Sequence, residues 1–414
     1  MKVTVQDIDI AAKRLEEVTK PTPLTLSKRL SQKYDANIYL KREDIQEVRS
    51  FKIRGAYNKI RAIRNGDLGR GVVAASTGNH AQGVAFSCAL LAIKGTVFMP
   101  VVTPMQKIKR VKQFGGKYIE VKLIGNNFHE TLEAANEYCK KKKAIFVHGF
   151  DDPEIIAGQG TIGKEVYEKL KGNVDYLLCP VGGGGLIAGI ASYLKQKDKK
   201  ITIVGVVPNG AASMYESLKK GKPVTLSTLD TFVDGVAVKT VSQLTFSICK
   251  DLLKKVVKIP EGLLCSVMIE LYQSEGIITE PAGALAVGGL DSVADEIKGK
   301  NVVCVVSGGN NDILRYPEIM ERSLVYQGRK HYFLIEFAQK PGQLKNFLNK
   351  ALGPTDDIVL FEYTKKTNKE KGPALIGIEL ADKKDYEPLL DRMKKLGINY
   401  TVLKSDDLLY KFLI

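Results

Sequence analysis

The sequence lacks long apolar runs and clustered cysteines. Its longest apolar run, around Ala89–Ile93, is far shorter than the about 18 residues that a membrane-spanning helix needs. The N-terminal segment MKVTVQDIDI has no apolar stretch and carries early acidic residues, so no secretion signal is expected. The six cysteines are scattered without a CxxC pair, which predicts reduced, mostly buried thiols in a cytoplasmic protein and no metal site. Because the apolar runs are short, no membrane partner is expected.

The composition is that of an ordinary globular protein with an excess of positive charge. Of 414 residues, 44% are hydrophobic and 26% charged, and 62 Lys and Arg against 46 Asp and Glu give a net charge of +16. At roughly 150 residues per domain, this length predicts two or three domains. The basic runs Lys140–Lys143, Lys195–Lys200 and Lys365–Lys371 lie where helices end or loops begin, without interleaved aromatics. We interpret them as solvated surface that attracts anionic small molecules, not as a nucleic-acid interface.

Residues 35–325 alternate short apolar runs with longer helix-period segments. Continuous β-branched runs such as ITIVGVV and VVCVV predict strands covered on both faces. The strand–helix–strand order predicts an α/β fold with parallel sheets and right-handed crossovers. The predicted strands are Asn37–Leu40, Gly71–Ala75, Gly95–Met99, Tyr118–Leu123, Ala144–Val147, Tyr176–Cys179, Ile201–Val207 and Val302–Val306, and the helices include Ala81–Ile93, Phe128–Lys143 and Ile162–Leu170.

The pattern changes after Arg322. The short polar segment Ser323–Lys330 is a predicted linker. The residues after this linker show the βαββαβ order of a ferredoxin-like sandwich, which predicts a separate small domain. Its predicted strands are His331–Phe337, Ile358–Lys365, Ala374–Leu380, Asn399–Leu403 and Tyr410–Ile414, and its predicted helices are Leu344–Leu352 and Asp385–Leu396.

One lysine has the setting of an amine nucleophile. Ser50 is expected to cap the helix after it, which places Lys52 in the first turn of that helix. The positive end of the helix dipole lowers the pKa of such a lysine where the site is dry, as formation of a Schiff base requires. From this segment alone, an ordinary exposed lysine remains an alternative.

Three further motifs come directly after predicted strands: STGNH (76–80), GGGG (182–185) and SGGN (307–310). Ligands of parallel α/β sheets bind at the carboxyl ends of strands, and helix N-termini hold anions. The first motif suits a carboxylate or ring hydroxyl, the second a phosphate outside a nucleotide motif, and the third a heteroaromatic nitrogen. Singly, each is also compatible with an ordinary turn. Together with Lys52 they require an aldehyde, a phosphate and a polar ring, and pyridoxal 5′-phosphate (PLP) carries all three.

These motifs, in this order, resemble those of fold-type II PLP enzymes, the tryptophan synthase β family, and more closely those of threonine dehydratases. The matching segments are KREDIQEVRSFKIRGAYN (41–58), STGNHAQGVA (76–85), GQGTIGKEV (158–166), PVGGGGLIAG (180–189), DGVAV (234–238), EPAGA (280–284) and SGGN (307–310). The resemblance implies a fold of two parallel-sheet subdomains in a catalytic domain at 1–325, with the small subdomain at about 50–150.

The resemblance also implies a role for each site residue. Lys52 would be the catalytic residue and bind the cofactor covalently, Asn79 would bond the ring hydroxyl, and Ser307 would face the pyridine nitrogen. The other cofactor-binding residues would be Phe51, Gly182, Gly183, Gly184, Gly185 and Leu186. The substrate site would be lined by Ser76, Thr77, Gly78, Asn79 and His80.

The implied reaction is β-elimination of L-threonine to 2-oxobutanoate and ammonia, the first step of isoleucine biosynthesis, with L-serine as an alternative substrate. The neutral hydroxyl of Ser307 does not hold the pyridine nitrogen protonated, which disfavours transamination. Serine dehydratases and racemases of the same family are the alternative enzymes. A non-catalytic amino-acid sensor or a basic RNA-binding protein on the same scaffold is the alternative from another class.

The C-terminal segments resemble the ACT-like regulatory domain of biosynthetic threonine dehydratases. FAQKPGQLKNFL (337–348), IVLFEYTKK (358–366) and the ending LLYKFLI carry this resemblance, which places the regulatory domain at 326–414. It implies inhibition by isoleucine, opposed by valine, in a homotetramer or homodimer. It identifies no effector-binding residues, and a domain that only supports oligomerisation is the alternative.

Overall fold

The computed structural model describes residues 3–63, 65–364, 369–404 and 407–413. The predicted strand ends at Lys365 and Ile414 lie outside these ranges, as does most of the basic run that begins at Lys365. The chain forms two compact units, Met1–Glu261 with Glu270–Asn311, and Gly262–Ile269 with Asp312–Ile414. The division at residue 325 stays a prediction.

The first unit holds two parallel sheets, as predicted. Its strands are β1 (Leu24–Leu26), β2 (Asn37–Arg42), β3 (Val72–Ala75), β4 (Gly95–Met99), β5 (Ile119–Leu123), β6 (Ile145–Phe146), β7 (Tyr176–Pro180), β8 (Thr202–Pro208), β9 (Lys255–Ile259) and β10 (Asn301–Val306). The large sheet has the order β1-β2-β10-β7-β8-β9 and the small sheet β5-β4-β3-β6, and all pairs are parallel except β1 with β2. The predicted mixed α/β class is therefore confirmed.

Helices separate these strands and cover the sheets. The helices that begin before residue 312 are α1 (Val5–Leu15), α2 (Lys28–Tyr34), α3 (Lys52–Arg61), α4 (Asn79–Leu90), α5 (Met105–Gly115), α6 (Phe128–Lys142), α7 (Pro153–Lys169), α8 (Gly185–Lys197), α9 (Ser213–Lys220), α10 (Gln243–Leu252), α11 (Glu261–Glu275) and α12 (Pro281–Gly288). Strands β3, β4 and β7 are buried at every position. This explains why they read as continuous apolar runs.

Some elements of the first unit were not predicted. Strand β1 has only three residues, too few to show a period, and β9 (KVVKI) is an edge strand in which lysines flank the apolar residues. Helix α7 begins nine residues before its predicted start, at Pro153, because the Asp152 carboxylate caps it by accepting from the amide of Glu154 at 2.8 Å.

The second unit contains a four-stranded antiparallel sheet. Its elements are α13 (Tyr316–Tyr326), β11 (Lys330–Ala338), α14 (Gln343–Lys350), β12 (Asp357–Tyr363), β13 (Lys371–Glu379), α15 (Tyr386–Lys395), β14 (Asn399–Val402) and α16 (Leu408–Leu413). The sheet order β12-β13-β11-β14 is that of a ferredoxin-like fold, as predicted. Its core is built around the buried residues Phe333, Phe347, Ile376 and Met393.

Two predictions for this unit are wrong. The segment Tyr410–Ile414 was expected as a strand, but its described residues belong to helix α16. The sequence LLYKFLI is apolar at nearly every position, so neither a twofold nor a 3.6-residue period is visible in it. The first four residues of the predicted linker Ser323–Lys330 form the last turn of α13.

Two predictions concern the cysteines and the length of apolar helices. All six cysteines are free and five are buried, with only Cys139 partly exposed, which confirms the prediction of mostly buried thiols. Among the residues that the structure describes, no helix is long and apolar enough to cross a membrane.

Candidate active site

The four sequence motifs meet at two connected pockets in the first unit. One opening of about 540 Å³ is lined by every predicted cofactor-binding residue, namely Phe51, Lys52, Asn79, Gly182, Gly183, Gly184, Gly185, Leu186 and Ser307. The other, of about 530 Å³, is lined by every predicted substrate-binding residue, Ser76, Thr77, Gly78, Asn79 and His80. Lys52, Asn79, Gly235 and Glu280 line both.

Lys52 is the first residue of α3. Its Nζ donates a hydrogen bond of 2.8 Å to the carbonyl oxygen of Gly149. The Lys52 side chain is half-buried, with its ammonium group at the inner end. Desolvation of that group lowers the pKa of Lys52 to about 8, and the nearby charge of Glu280 opposes this shift. Near neutral pH, this amine therefore carries far more of its nucleophilic uncharged form than an ordinary lysine does.

The expected cap of this helix is wrong. Phe51, not Ser50, precedes the first helical residue, and no side chain of the described residues caps the helix. Ser50 instead forms an isolated antiparallel bridge with Gly308. Its buried Oγ has no hydrogen-bond partner among the described residues.

The glycine motif after β7 is tightly enclosed. A Cβ atom on Gly183 would lie 2.4 Å from the ring of Phe150, and one on Gly182 would lie 2.8 Å from Cα of Val236. Gly184 has a φ of +90°, which other residues rarely adopt. The motif leads directly into α8, whose first amides have no acceptor within the helix. The segment is therefore a cradle of backbone donors that suits an anion such as a phosphate.

A carboxylate lies between the lysine and the STGNH turn. Glu280 is 5% exposed, and its Oε1 accepts a hydrogen bond of 2.6 Å from Nδ2 of Asn79. Burial and the charge of Asp234 raise the pKa of Glu280 to about 7, against the opposing effects of Asn79, Lys107 and Lys52. Lys107 of α5 forms an ion pair with Asp234 across the second pocket.

His80 is held by the backbone. One ring nitrogen, Nε2, lies 2.8 Å from the carbonyl oxygen of Val147, and because a carbonyl can only accept, Nε2 carries the proton. Burial, with the charge of Lys52 adding to it, lowers the pKa of His80 to about 3. His80 is therefore a neutral imidazole at physiological pH.

Ser307 lies at the end of β10, in the cofactor pocket. Its Oγ is 3.4 Å from the carbonyl oxygen of Ala282, a long hydrogen bond that leaves the hydroxyl weakly engaged. A weakly engaged hydroxyl, a lysine of lowered pKa and a cradle that Cβ atoms would fill are the features that PLP requires. The residues present fit this cofactor.

Several residues of the site were not singled out from the sequence. They are Glu280, Asn310, Gln82, Phe150 and the pair Lys107–Asp234. Glu280 is the N-cap residue of α12, directly before Pro281, so locally it resembles an ordinary acid at a helix start. Gln82 is 3% exposed and its Oε1 has no partner among the described residues. The EPAGA and SGGN motifs contained two of these residues, but only the fold brings them to Lys52.

Comparison with known proteins agrees with this geometry. Residues 15–308 match the family described as "Pyridoxal-phosphate dependent enzyme", and residues 321–413 match the "C-terminal regulatory domain of Threonine dehydratase". The chain belongs to the PLP-dependent threonine dehydratase family.

Relatives in this family match over the whole chain. The chain is 50% identical to "L-threonine dehydratase biosynthetic IlvA" of Halalkalibacterium halodurans, covering 100% of both chains. It is 48% identical to the protein of that name from Bacillus subtilis, covering 100% of this chain and 98% of that one. The solved structure of the processed form of threonine deaminase isoform 2 from Solanum lycopersicum is similar, with a TM-score of 0.74 and 39% identity over 77% of this chain and 88% of that one. The predicted fold class, enzyme class and PLP dependence are thus confirmed for this threonine dehydratase family member.

Proposed function

We propose that this chain removes water from L-threonine and releases 2-oxobutanoate and ammonia. The observation that supports this most directly is that Lys52 and the cradle Gly182–Gly185 line one pocket, while the STGNH turn lines the pocket beside it. PLP would bind between Lys52 and the cradle, with Leu186 and Phe51 beside it, and it supplies an electron-withdrawing ring that makes the α-proton of an amino acid acidic.

The residues of the second pocket bind and orient the substrate. Ser76 and Thr77 line this pocket beside the start of α4, whose first amides suit an anion, so these groups would hold the substrate carboxylate. Gly78 has no side chain, so the backbone at this position can lie close to the substrate carboxylate. His80, neutral and bonded to the backbone, adds no positive charge of its own and keeps the turn in place.

Lys52 moves the proton. With a pKa near 8, its uncharged Nζ accepts the α-proton of the substrate at neutral pH, which a lysine of ordinary pKa rarely does. Ser307 would present a neutral hydroxyl to the ring nitrogen, which leaves that nitrogen unprotonated, and Asn79 would donate to the ring oxygen.

The test is 2-oxoacid formation by the purified protein from L-threonine and from L-serine. We expect turnover of L-threonine by the wild type and a loss of at least about 1,000-fold in Lys52→Ala, since both nucleophile and base are removed. Lys59→Ala, on the same helix, is the matched control. Turnover by Lys52→Ala at the wild-type rate would contradict the assignment, and racemisation of serine without threonine turnover would favour the racemase alternative.

We further propose that residues 326–414 bind isoleucine and reduce activity, with valine opposing this, in a cytoplasmic homotetramer or homodimer. A coupling of about 1–3 kcal/mol is typical of such regulation. The regulatory-domain match at 321–413 and the ferredoxin-like fold support the proposal. Threonine turnover with and without each amino acid, and mass measurement by light scattering, test it. A rate unchanged by millimolar isoleucine would contradict it.

A further inference from the structure

A directional chain of hydrogen bonds ends at Asn79. Nδ2 of Asn310 donates to the carbonyl oxygen of Val48 at 2.8 Å and to Oδ1 of Asn79 at 2.7 Å. Nδ2 of Asn79 then donates to Oε1 of Glu280 at 2.6 Å. The chain joins residues that are 262, 231 and 201 positions apart, so it exists only in the folded first unit.

The orientation of each amide is determined by its partners. The carbonyl of Val48 can only accept, so the atom of Asn310 that faces it is the nitrogen. Because the same nitrogen also faces Asn79, that residue presents its oxygen to Asn310. Its nitrogen then faces Oε1 of Glu280, which accepts the hydrogen bond. Among the described residues, Asn79 keeps one N–H without a partner, and its oxygen is occupied by the bond from Asn310.

The fold makes room for this arrangement. A Cβ atom on Gly308 would lie 2.4 Å from Oε1 of Glu280, so the glycine of the SGGN motif allows the carboxylate to reach Asn79. The charged groups that act on Glu280 are Asp234, Lys107 and Lys52. Burial and Asp234 oppose the carboxylate form, the two lysines favour it, and the carboxylate is the better acceptor.

We propose that Asn310 and Glu280 are positioning residues, which fix the amide of Asn79 as a donor to the ring oxygen of the bound cofactor. The proposal rests on the proposed PLP site and deepens it. With one N–H directed at the ring oxygen, that oxygen is stabilised as an anion. With the amide reversed, the oxygen of Asn79 would face the ring oxygen and favour its protonated form.

Absorption spectra of the holoenzyme test the proposal without relying on turnover. The ratio of the visible to the near-ultraviolet cofactor band reports the ionisation of the ring oxygen. Because a hydrogen bond to a charged group is lost, we expect this ratio to fall by about tenfold or more in Asn79→Ala, Asn310→Ala and Glu280→Leu. Asn310→Asp, which is isosteric but cannot donate while ionised, should reduce it at least as much as Asn310→Ala.

Combined variants separate positioning from folding. Adding Asn310→Ala to Asn79→Ala should change the ratio no further, because Asn310 acts through Asn79. Asn310→Gln, which keeps both donors, should recover part of the ratio. Unfolding in urea identifies variants that are merely destabilised, a change that by itself leaves the band ratio of bound cofactor unaltered.

Two results would overturn the proposal. A wild-type ratio in both Asn310→Asp and Glu280→Leu would mean that Asn79 keeps its orientation without them. An additive effect of Asn310→Ala and Asn79→Ala would mean that Asn310 acts by another route. A wild-type protein that binds no PLP would overturn the proposed function as well, and this outcome is recognised before any variant is made.

Discussion

Nζ of Lys52 donates a 2.8 Å hydrogen bond to the carbonyl oxygen of Gly149, a residue 97 positions later in the chain. The amine is thereby held at the pocket that the glycine cradle also lines. The bond can be made by both the charged and the uncharged amine, since both can donate. Its protonation state is therefore set mainly by burial, which lowers the pKa to about 8.

The first prediction concerns the pH dependence of cofactor capture. Only the uncharged amine attacks an aldehyde, so the rate at which cofactor-free protein captures PLP should rise with pH and level off above about 8. A lysine at its ordinary value of 10.5 would give a rate that still rises at pH 10. Stopped-flow absorbance between pH 6 and 10 measures this.

A variant of Glu280 sharpens this experiment. The charge of Glu280 raises the pKa of Lys52, so Glu280→Gln should move the midpoint of the curve of PLP capture rate against pH to lower pH. Glu168→Gln, an exposed carboxylate at the end of α7, should leave it in place. A midpoint that does not move in Glu280→Gln would contradict the electrostatic coupling.

The second prediction concerns stability. Since the folded-state pKa of Lys52 lies below its unfolded value of 10.5, folding carries a cost for burying the charged amine, which is absent above pH 10.5, grows as pH falls and is complete below about pH 8. At pH 6–7, Lys52→Met should therefore make the cofactor-free protein more stable by about 1–3 kcal/mol. This is less than the full pKa shift would give, because the side chain is only half-buried and solvent screens part of the effect. The difference should vanish above about pH 10.5.

Urea unfolding of cofactor-free protein at several pH values measures this difference. Lys219→Met, at an exposed lysine near the end of α9, is the matched control and should show no such pH dependence. A Lys52→Met variant that is less stable than wild type at pH 6 would show that the bond to Gly149 outweighs the cost of burying the charge.

Features that depend on neighbouring residues, such as the position of a motif after a strand, could be predicted from the sequence. Contacts between residues far apart in the chain could not. The STGNH, GGGG and SGGN motifs come directly after buried strands, so their position at the carboxyl ends of strands could be deduced, although β3 and the pair β7 and β10 belong to different sheets. Glu280 and Asn79 meet across 201 positions, and neither has a local feature that reports the other. The failed cap at Ser50 has the same cause, because a bridge to Gly308 holds that residue instead. In the second unit, LLYKFLI failed because its composition shows no period.

The third prediction concerns the phosphate cradle. Gly183→Ala would place Cβ 2.4 Å from the ring of Phe150, and overpacking of this kind costs about 1–3 kcal/mol. The affinity for PLP should therefore fall by about fivefold to 100-fold, as measured by fluorescence titration. Phe150→Leu, which removes the obstructing ring, should restore part of the affinity in the double variant.

The control for this experiment is Gly69→Ala. Gly69 is exposed, and a Cβ atom there would meet nothing within 4 Å, so the affinity for PLP should be unchanged. Equal affinities in wild type and Gly183→Ala would mean that the cradle shifts without cost, and the steric argument for the four glycines would be wrong.

The fourth prediction concerns the buried charges behind Lys52. Arg54, two residues further along α3, is fully buried and donates to both oxygens of Glu43 at 2.8 Å and to Glu165 at 2.5 and 3.0 Å. Burial raises the pKa of Glu43, but Arg54 and then Lys41 outweigh it and hold the pKa at about 2. The positive charges of Lys41 and Arg54 thus balance the negative charges of Glu43 and Glu165. Removal of any one of them leaves a buried charge without its counter-charge.

Arg54→Met leaves Glu43 and Glu165 with one buried cation between them, so we expect a loss of about 3–5 kcal/mol in the free energy of unfolding at pH 7. In wild type, the contribution of Glu43 is present above its unfolded pKa of 4.5 and is lost as pH falls through about 2. In the variant, burial is less opposed and the carboxyl takes up a proton at higher pH, so the loss should shrink towards pH 4. Adding Glu43→Gln should recover part of the stability at pH 7. A loss that is the same at pH 7 and pH 4, measured by urea unfolding, would mean that packing of the Arg54 side chain, not its charge, holds α3 in place.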